Sequence, residues 1–218
     1  MSLLSEYDIM RDVQTKLNQM LDINKLNVSF SKDGRTQSSI QEDYIIKLLQ
    51  TMKEYNWYIP NIRWWFDIAI ILNENRFIPI NIKITNMNTA DNIGNYSIIA
   101  YSMTNYEMKY NIQYTNTILN LFENKSVVFE ETERDYWFLI ISKSFKEHKS
   151  NKIFVNSFKG ISEITPNYIN LPFQIKWNNN LEYKPKTTNE MFKLIRESTM
   201  AYNQKKSLLQ KHIELFNE

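Results

Sequence analysis

The chain of 218 residues has no cysteine, three glycines and two histidines. The lack of cysteine excludes disulfides, thiolate zinc sites and a cysteine nucleophile, and it is compatible with a reducing compartment. Gly34, Gly94 and Gly160 are too scattered to build a phosphate-cradling loop or a dinucleotide fingerprint. His148 and His212 stand far apart and outside any motif, so neither an i, i+4 metal pair nor a nucleophile-elbow hydrolase has its histidine. No run approaches the ~20 apolar residues of a membrane span. The opening MSLLSEYDIMRDV has no basic segment followed by an apolar one. The expectation is a cytoplasmic protein with no membrane partner. Charge of one sign is also scarce: the net charge is +2, so any grip on nucleic acid depends on local arrangement.

The 43% hydrophobic, 23% charged and 14% aromatic content describes a globular protein long enough for one substantial core, and the reading is a single domain over residues 1–218. Asn, Ile, Lys and Tyr are abundant, as in the products of AT-rich genomes, which lowers the weight of any single Asn or Lys. Oxygen and amine chemistry remains, and it gathers between Arg63 and Thr85, RWWFDIAIILNENRFIPINIKIT. Residues 64 to 72 are apolar except for Asp67, and a carboxylate inside a core-like strand requires a partner. In the next strand Ile78, Ile80, Ile82 and Ile84 form one greasy face, while Asn81, Lys83 and Thr85 share the other. A three-residue loop of Asn73, Glu74 and Asn75 sets an odd spacing, which pairs Asp67 with Asn81 or Lys83 and places all three on one patch, with Ala69 leaving room beside them. A plain cross-strand ion pair of Asp67 and Lys83 is the structural alternative.

Asp67 followed by Asn81-Ile82-Lys83 resembles the motif of the PD-(D/E)XK nuclease superfamily, and within it the type II restriction endonucleases. The resemblance implies a restriction-endonuclease-like α/β fold in which an Asp of one strand and the (D/E)-x-K of the next bind Mg²⁺ and position an attacking water. Asn81 stands where the family usually has a second acid, which removes one charge from the metal site; some members accept an amide there. By the resemblance, Asp67, Glu42 and the Ile82 carbonyl would hold Mg²⁺, Asn81 would orient its water shell, and Lys83 would stabilise or deprotonate the attacking water. The products would carry 5′-phosphate and 3′-hydroxyl ends. The implied partners are double-stranded DNA with a palindromic site and a second copy of the chain in a homodimer, within a bacterial restriction system in the cytoplasm.

Taken in order, residues 3 to 21 have apolar positions at helical spacing and read as a packing or dimer helix. SFSKDGRTQSS reads as a loop whose Lys32 and Arg35 either touch phosphates or are solvated. Ser39 to Tyr55 is expected to be a helix opened by the capping box Ser39-x-x-Glu42, with a core face of Ile45, Ile46, Leu49 and Met52. Glu42 either completes that box or, as the family implies, presents its carboxylate to the metal. Asn86 to Asn92 reads as a polar loop leaving the catalytic strand. Its Asn86, Asn88, Thr89, Asp91 and Asn92 are turn residues or DNA contacts, since an Asn amide can pair with both hydrogen-bonding atoms of an adenine edge.

Helices are expected at Asn95 to Thr104 and Ile112 to Phe122, and strands at Asp135 to Lys143 and Lys152 to Phe158. GISEITPNYINLPFQIKW is similar to the closing segment of several type II restriction enzymes, a short helix leading into an extended strand. Thr187-x-x-Glu190 opens a last helix to about Phe216, whose Lys205, Lys206 and Lys211 are a solvated face or phosphate contacts. Residues 1–37 and 187–218 read as helical extensions for dimerisation or DNA contact. The fold class is α/β, a central mixed sheet flanked by helices. The expected activity is that of a type II site-specific deoxyribonuclease; a repair or recombination nuclease, a non-catalytic DNA-binding relative and a structural protein are the rivals.

Overall fold

A five-stranded mixed sheet divides the core into two layers. In the computed structural model the described residues are 5–21, 34–62, 64–85, 87, 90–93, 96–114, 127–142, 153–166 and 173–214, with side chains described outside 34–39, 209 and 211–214. The strands are β1 (Trp57–Tyr58), β2 (Ile68–Asn73), β3 (Arg76–Thr85), β4 (Ala90–Asn92), β5 (Trp137–Ser142), β6 (Ile153–Ser157) and β7 (Gln174–Lys176). The helices are α1 (Glu6–Met20), α2 (Gly34–Leu49), α3 (Tyr96–Met103) and α4 (Thr188–Glu214). The main sheet has the order β1-β2-β3-β5-β6, with β3 and β5 parallel and the other neighbours antiparallel. It is the central mixed sheet flanked by helices that the sequence pattern led to.

β5 is buried along its whole length, as its continuous apolar run WFLII requires of a strand covered on both faces. On one face Ile68, Ile70, Ile78, Ile80, Trp137 and Leu139 pack under α1 and α2. On the other, Ala69, Phe77, Phe138 and Ile140 meet α3, Trp177 and Met191. β3 therefore departs from the expected strand with one greasy face: Phe77 and Pro79 are buried as fully as Ile78 and Ile80. Its second face turns polar only at Asn81, halfway along. Pro79 costs the sheet no ladder donor, because it precedes the first β3–β5 pair, Ile80 with Trp137.

α1 is opened by a capping box between Ser5 and Asp8. It buries Ile9, Met10, Val13 and Leu17 against the chain's own sheet, so its apolar stripe acts in packing. α2 begins at Gly34 and not at Ser39, and ends at Leu49 and not Tyr55. The polar residues 35 to 38 carry no apolar period and yet contain no helix breaker. At the other end the amides of Thr51 and Met52 bond back to Leu48 and Leu49 at 3.0 Å, a tightened turn that stops the helix. α3 matches the helix expected over Asn95 to Thr104 and is buried from Ser97 to Met103. α4 opens with the expected box: Thr187 Oγ1 accepts from the Glu190 amide at 3.2 Å, and the Glu190 carboxylate accepts from the Thr187 amide at 2.8 Å.

One local expectation is corrected. Residues 90 to 92 are not loop but strand β4, which pairs with β7 in a separate two-stranded sheet. A residue triplet as polar as Ala-Asp-Asn gives no strand signal of its own; the pairing with Gln174–Lys176 imposes it. Of the segment expected to hold a short helix, residues 161 to 166 are not helical and bridge through Thr165 to Gln174, and residues 167 to 172 lie outside the described residues. Of the helix expected over Ile112 to Phe122, residues 112 to 114 are not helical and the remainder lies outside the described residues.

Candidate active site

The β2–β3 ladder ends at Ile68 opposite Ile80. One residue earlier the Asp67 amide still donates to the Ile80 carbonyl at 3.0 Å, but the chain has begun to bend away. The Asp67 carboxylate then takes the place of the missing main-chain acceptor: its Oδ2 accepts from the Ile82 amide at 2.7 Å. The amide and carbonyl of one residue in an antiparallel strand face the same side, so the Ile82 carbonyl also faces the gap that β2 vacates. Asn81 and Lys83 flank that position on the polar half of the second face.

The hairpin reaches the expected parity by a different route. Asn73 pairs with Arg76 across a two-residue turn, Glu74 and Asn75, and the Asn75 amide bonds the Asn73 side chain at 2.9 Å. The odd residue is Leu72, a bulge between Ile71 and Asn73, after which Ile71 faces Phe77 and the register runs down to Ile68 and Ile80. The register therefore has the expected parity down to Ile68 and Ile80, one residue before Asp67, though no three-residue loop exists.

Burial pushes the Asp67 carboxyl above its ordinary pKa, and the Ile82 amide and the Lys83 charge pull it back. Glu42, from α2, is held up at about 7 by desolvation first and then by the Asp67 charge, with Lys83 acting in the opposite sense. The mutual field ties Glu42 to Asp67 and Lys83 although α2 covers the other face of the sheet. Because α2 starts five residues before Ser39, Glu42 lies inside the helix, and the capping role weighed for it from sequence does not exist. Among the described residues no ion pair joins Asp67 to Lys83, so the plain cross-strand pair is not formed either.

Tyr136 donates its hydroxyl proton to the Trp65 carbonyl at 2.8 Å and lines the same pocket as Asn81. The Asn81 amide oxygen is buried with no hydrogen-bond partner. An orphaned oxygen of this kind is costly unless something cationic or a donor meets it. Beside it opens a pocket of about 380 Å³ whose lining includes Asn81, Lys83, Trp64, Trp65 and Tyr96.

The oxygens at hand are two carboxylates, one amide and one main-chain carbonyl. Among the described residues there is no group of three or more His, Cys, Asp or Glu side chains suited to a metal. The set nevertheless suits Mg²⁺, a hard cation that keeps several waters and is commonly held by only one or two carboxylates.

The residues expected to touch DNA fare unevenly. Lys32, Asn86, Asn88 and Thr89 lie outside the described residues, as does the side chain of Arg35. Asp91 is engaged structurally, accepting from the Trp177 indole at 2.6 Å. Asn92 lines the pocket. Sequence reasoning overlooked Tyr136, which lines the pocket with Asn81, and the pair Trp64-Trp65, whose signal was two adjacent tryptophans just before Asp67. No helix among the described residues is long and apolar enough to cross a membrane. No protein-family model matches the chain, and no curated protein sequence matches it.

Proposed function

We propose that the protein is a Mg²⁺-dependent DNA endonuclease of the type II restriction kind, acting as a homodimer on a palindromic site in the bacterial cytoplasm. The observation that supports it best is the Asp67 carboxylate fixed on the Ile82 amide, beside Asn81 and Lys83 and within the field of Glu42. Asp67, Glu42 and the Ile82 carbonyl are the residues that would hold Mg²⁺, with the Asn81 oxygen accepting from its water shell. When bound, the cation supplies Lewis-acid stabilisation of the phosphate and an attacking water of lowered pKa.

The chain's own residues do the rest. The rigid sheet positions the groups, and Lys83 brings a positive charge to a phosphate whose negative charge grows in the transition state. Lys83 also stands where an attacking water can be oriented or lose its proton. Asp67 is pinned by a main-chain amide, so this acceptor needs no reorganisation at the moment of reaction.

Incubation with a large unmodified viral DNA, with Mg²⁺ or with EDTA, tests the reading on a sizing gel. Discrete Mg²⁺-dependent fragments are expected, and their ends give the recognition site. A smear would point to a repair or recombination nuclease instead. Specific binding without cutting in any divalent metal would identify a non-catalytic relative, the reading that the neutral Asn81 favours.

A further inference from the structure

Ile62 is 93% exposed, more than any other large apolar side chain among the described residues, and Ile59 just before it is exposed as well. Both belong to the connection from β1 to β2, which is anchored at each end. Trp57 and Tyr58 pair with Ile70 and Ala69, and the Tyr58 ring packs on Phe66 and Tyr110. At the far end the buried Trp65 ring is held by Phe66, Phe77 and Tyr101. Because β1 and β2 are antiparallel, the connection turns at the edge of the sheet where β2 begins, which is the edge of Asp67. Trp64, in the same connection, lines the pocket beside Asn81 and Lys83. Ile62 is two residues from Trp64, so its Cα lies within about 8 Å of that pocket wall's Cα.

We infer that Ile62 is a wedge that enters the DNA between two neighbouring base pairs beside the phosphate to be cut and kinks the duplex there, a role that rests on the nuclease reading and names how the same site would grip its substrate. Single exposed aliphatic residues are ordinary on a protein surface. This one differs in its place, on an anchored turn at the catalytic edge. An isoleucine held in water adds nothing to the fold, and its gain comes when an apolar surface covers it. The backbone and groove edges of DNA are mostly polar, and its apolar surface is the faces of the stacked bases. A branched aliphatic side chain reaches those faces by parting one step of the stack, as apolar wedges of architectural proteins do. The steps that part most easily are pyrimidine–purine steps such as TA, so the wedge would add a sequence preference without a hydrogen bond to any base.

The test is fluorescence anisotropy with the full chain in Ca²⁺ at low salt, on two duplexes of one flanking sequence. One is fully paired, and the other carries a central C·C mismatch, where parting the stack costs less. The mismatched duplex is expected to bind about tenfold tighter. Ile62→Ala is expected to bring that ratio to within about twofold and Ile62→Leu to keep it, with all three proteins melting at the same temperature because the side chain is exposed. Equal affinity of the parent for the two duplexes, or a preference that survives Ile62→Ala, overturns the wedge and leaves the nuclease reading standing. An unchanged ratio with a lower dimer fraction in Ile62→Ala, read by analytical ultracentrifugation, assigns the residue to a contact between copies and overturns the wedge equally. Failure to bind either duplex brings down both.

Discussion

The Asp67 carboxylate receives the Ile82 amide proton at 2.7 Å, at the point where β2 stops pairing with β3. One side chain thus closes the end of a ladder with one of its two oxygens. A substitution there has two separable consequences. Asp67→Asn keeps an acceptor for the Ile82 amide and removes the charge, so the fold is expected to hold while cleavage falls by about 10²-fold or more. Asp67→Ala removes both and is expected to lower unfolding stability by about 1–3 kcal/mol as well. Denaturant melts beside cleavage rates check this; full activity in Asp67→Asn sinks the assignment.

Lys83 makes no ion pair with Asp67, so its removal should spare the fold. Lys83→Ala is expected to reduce cleavage by about 10²- to 10⁴-fold with stability within about 0.5 kcal/mol of the parent and with DNA binding in Ca²⁺ retained. A variant that loses stability and nothing else would show the lysine to be structural.

Asn81→Asp adds the charge that the site lacks. Mg²⁺ is expected to bind more tightly, read as a lower Mg²⁺ concentration for half-maximal cleavage. An Asn81→Asp protein that folds, binds Mg²⁺ and does not cut would show that the amide itself has a task.

Glu42 gives the site a pH dependence. Its carboxyl is held up at about 7 by desolvation and by Asp67, and only the ionised form attracts a cation. Mg²⁺ affinity is therefore expected to rise as pH goes from about 6 to about 8, and Glu42→Gln to flatten that rise. The metal-free fold responds in the opposite sense: a raised acid holds its proton in the folded state and not in the unfolded one, so stability declines as pH climbs towards 7. Mg²⁺ titrations at several pH values decide it; an unchanged slope in Glu42→Gln removes Glu42 from the site.

A second charged cluster, built on Glu6, Arg76 and Asp135, has a purely structural signature. Glu6, 6% exposed, is held up at about 7 by burial, although the Trp137 indole and Arg76 both favour its ionised form. Asp135, equally buried, is held up at about 6 chiefly by burial. Both folded values exceed the unfolded ones, so their contribution is lost as pH rises through the window ending near 7. Glu6→Gln keeps an acceptor for Trp137 and is expected to gain stability relative to the parent, on the order of 2 kcal/mol, between pH 5 and pH 8. Thermal melts across that range measure it, and a pH-independent difference contradicts the buried-acid account.

Much of the fold was legible in the amino-acid order because local chemistry decided it. The apolar run from Trp137 could only be a buried strand, Thr187 and Glu190 wrote their own helix start, and the alternation after Arg76 made a strand. The parity of the β2–β3 register was legible too, even though a bulge at Leu72 and not a three-residue loop supplies it. Sequence alone left Glu42 between cap and ligand; the tertiary structure removed the cap by starting α2 at Gly34, a boundary that no local period marks. It also decided what no pattern along one strand can contain. Tyr136, just before β5, reaches the Trp65 carbonyl across the fold, and burial leaves the Asn81 amide oxygen without a partner. Period and propensity act between neighbours in the chain, whereas burial, orientation and shifted protonation come from residues that meet only after the sheet has closed.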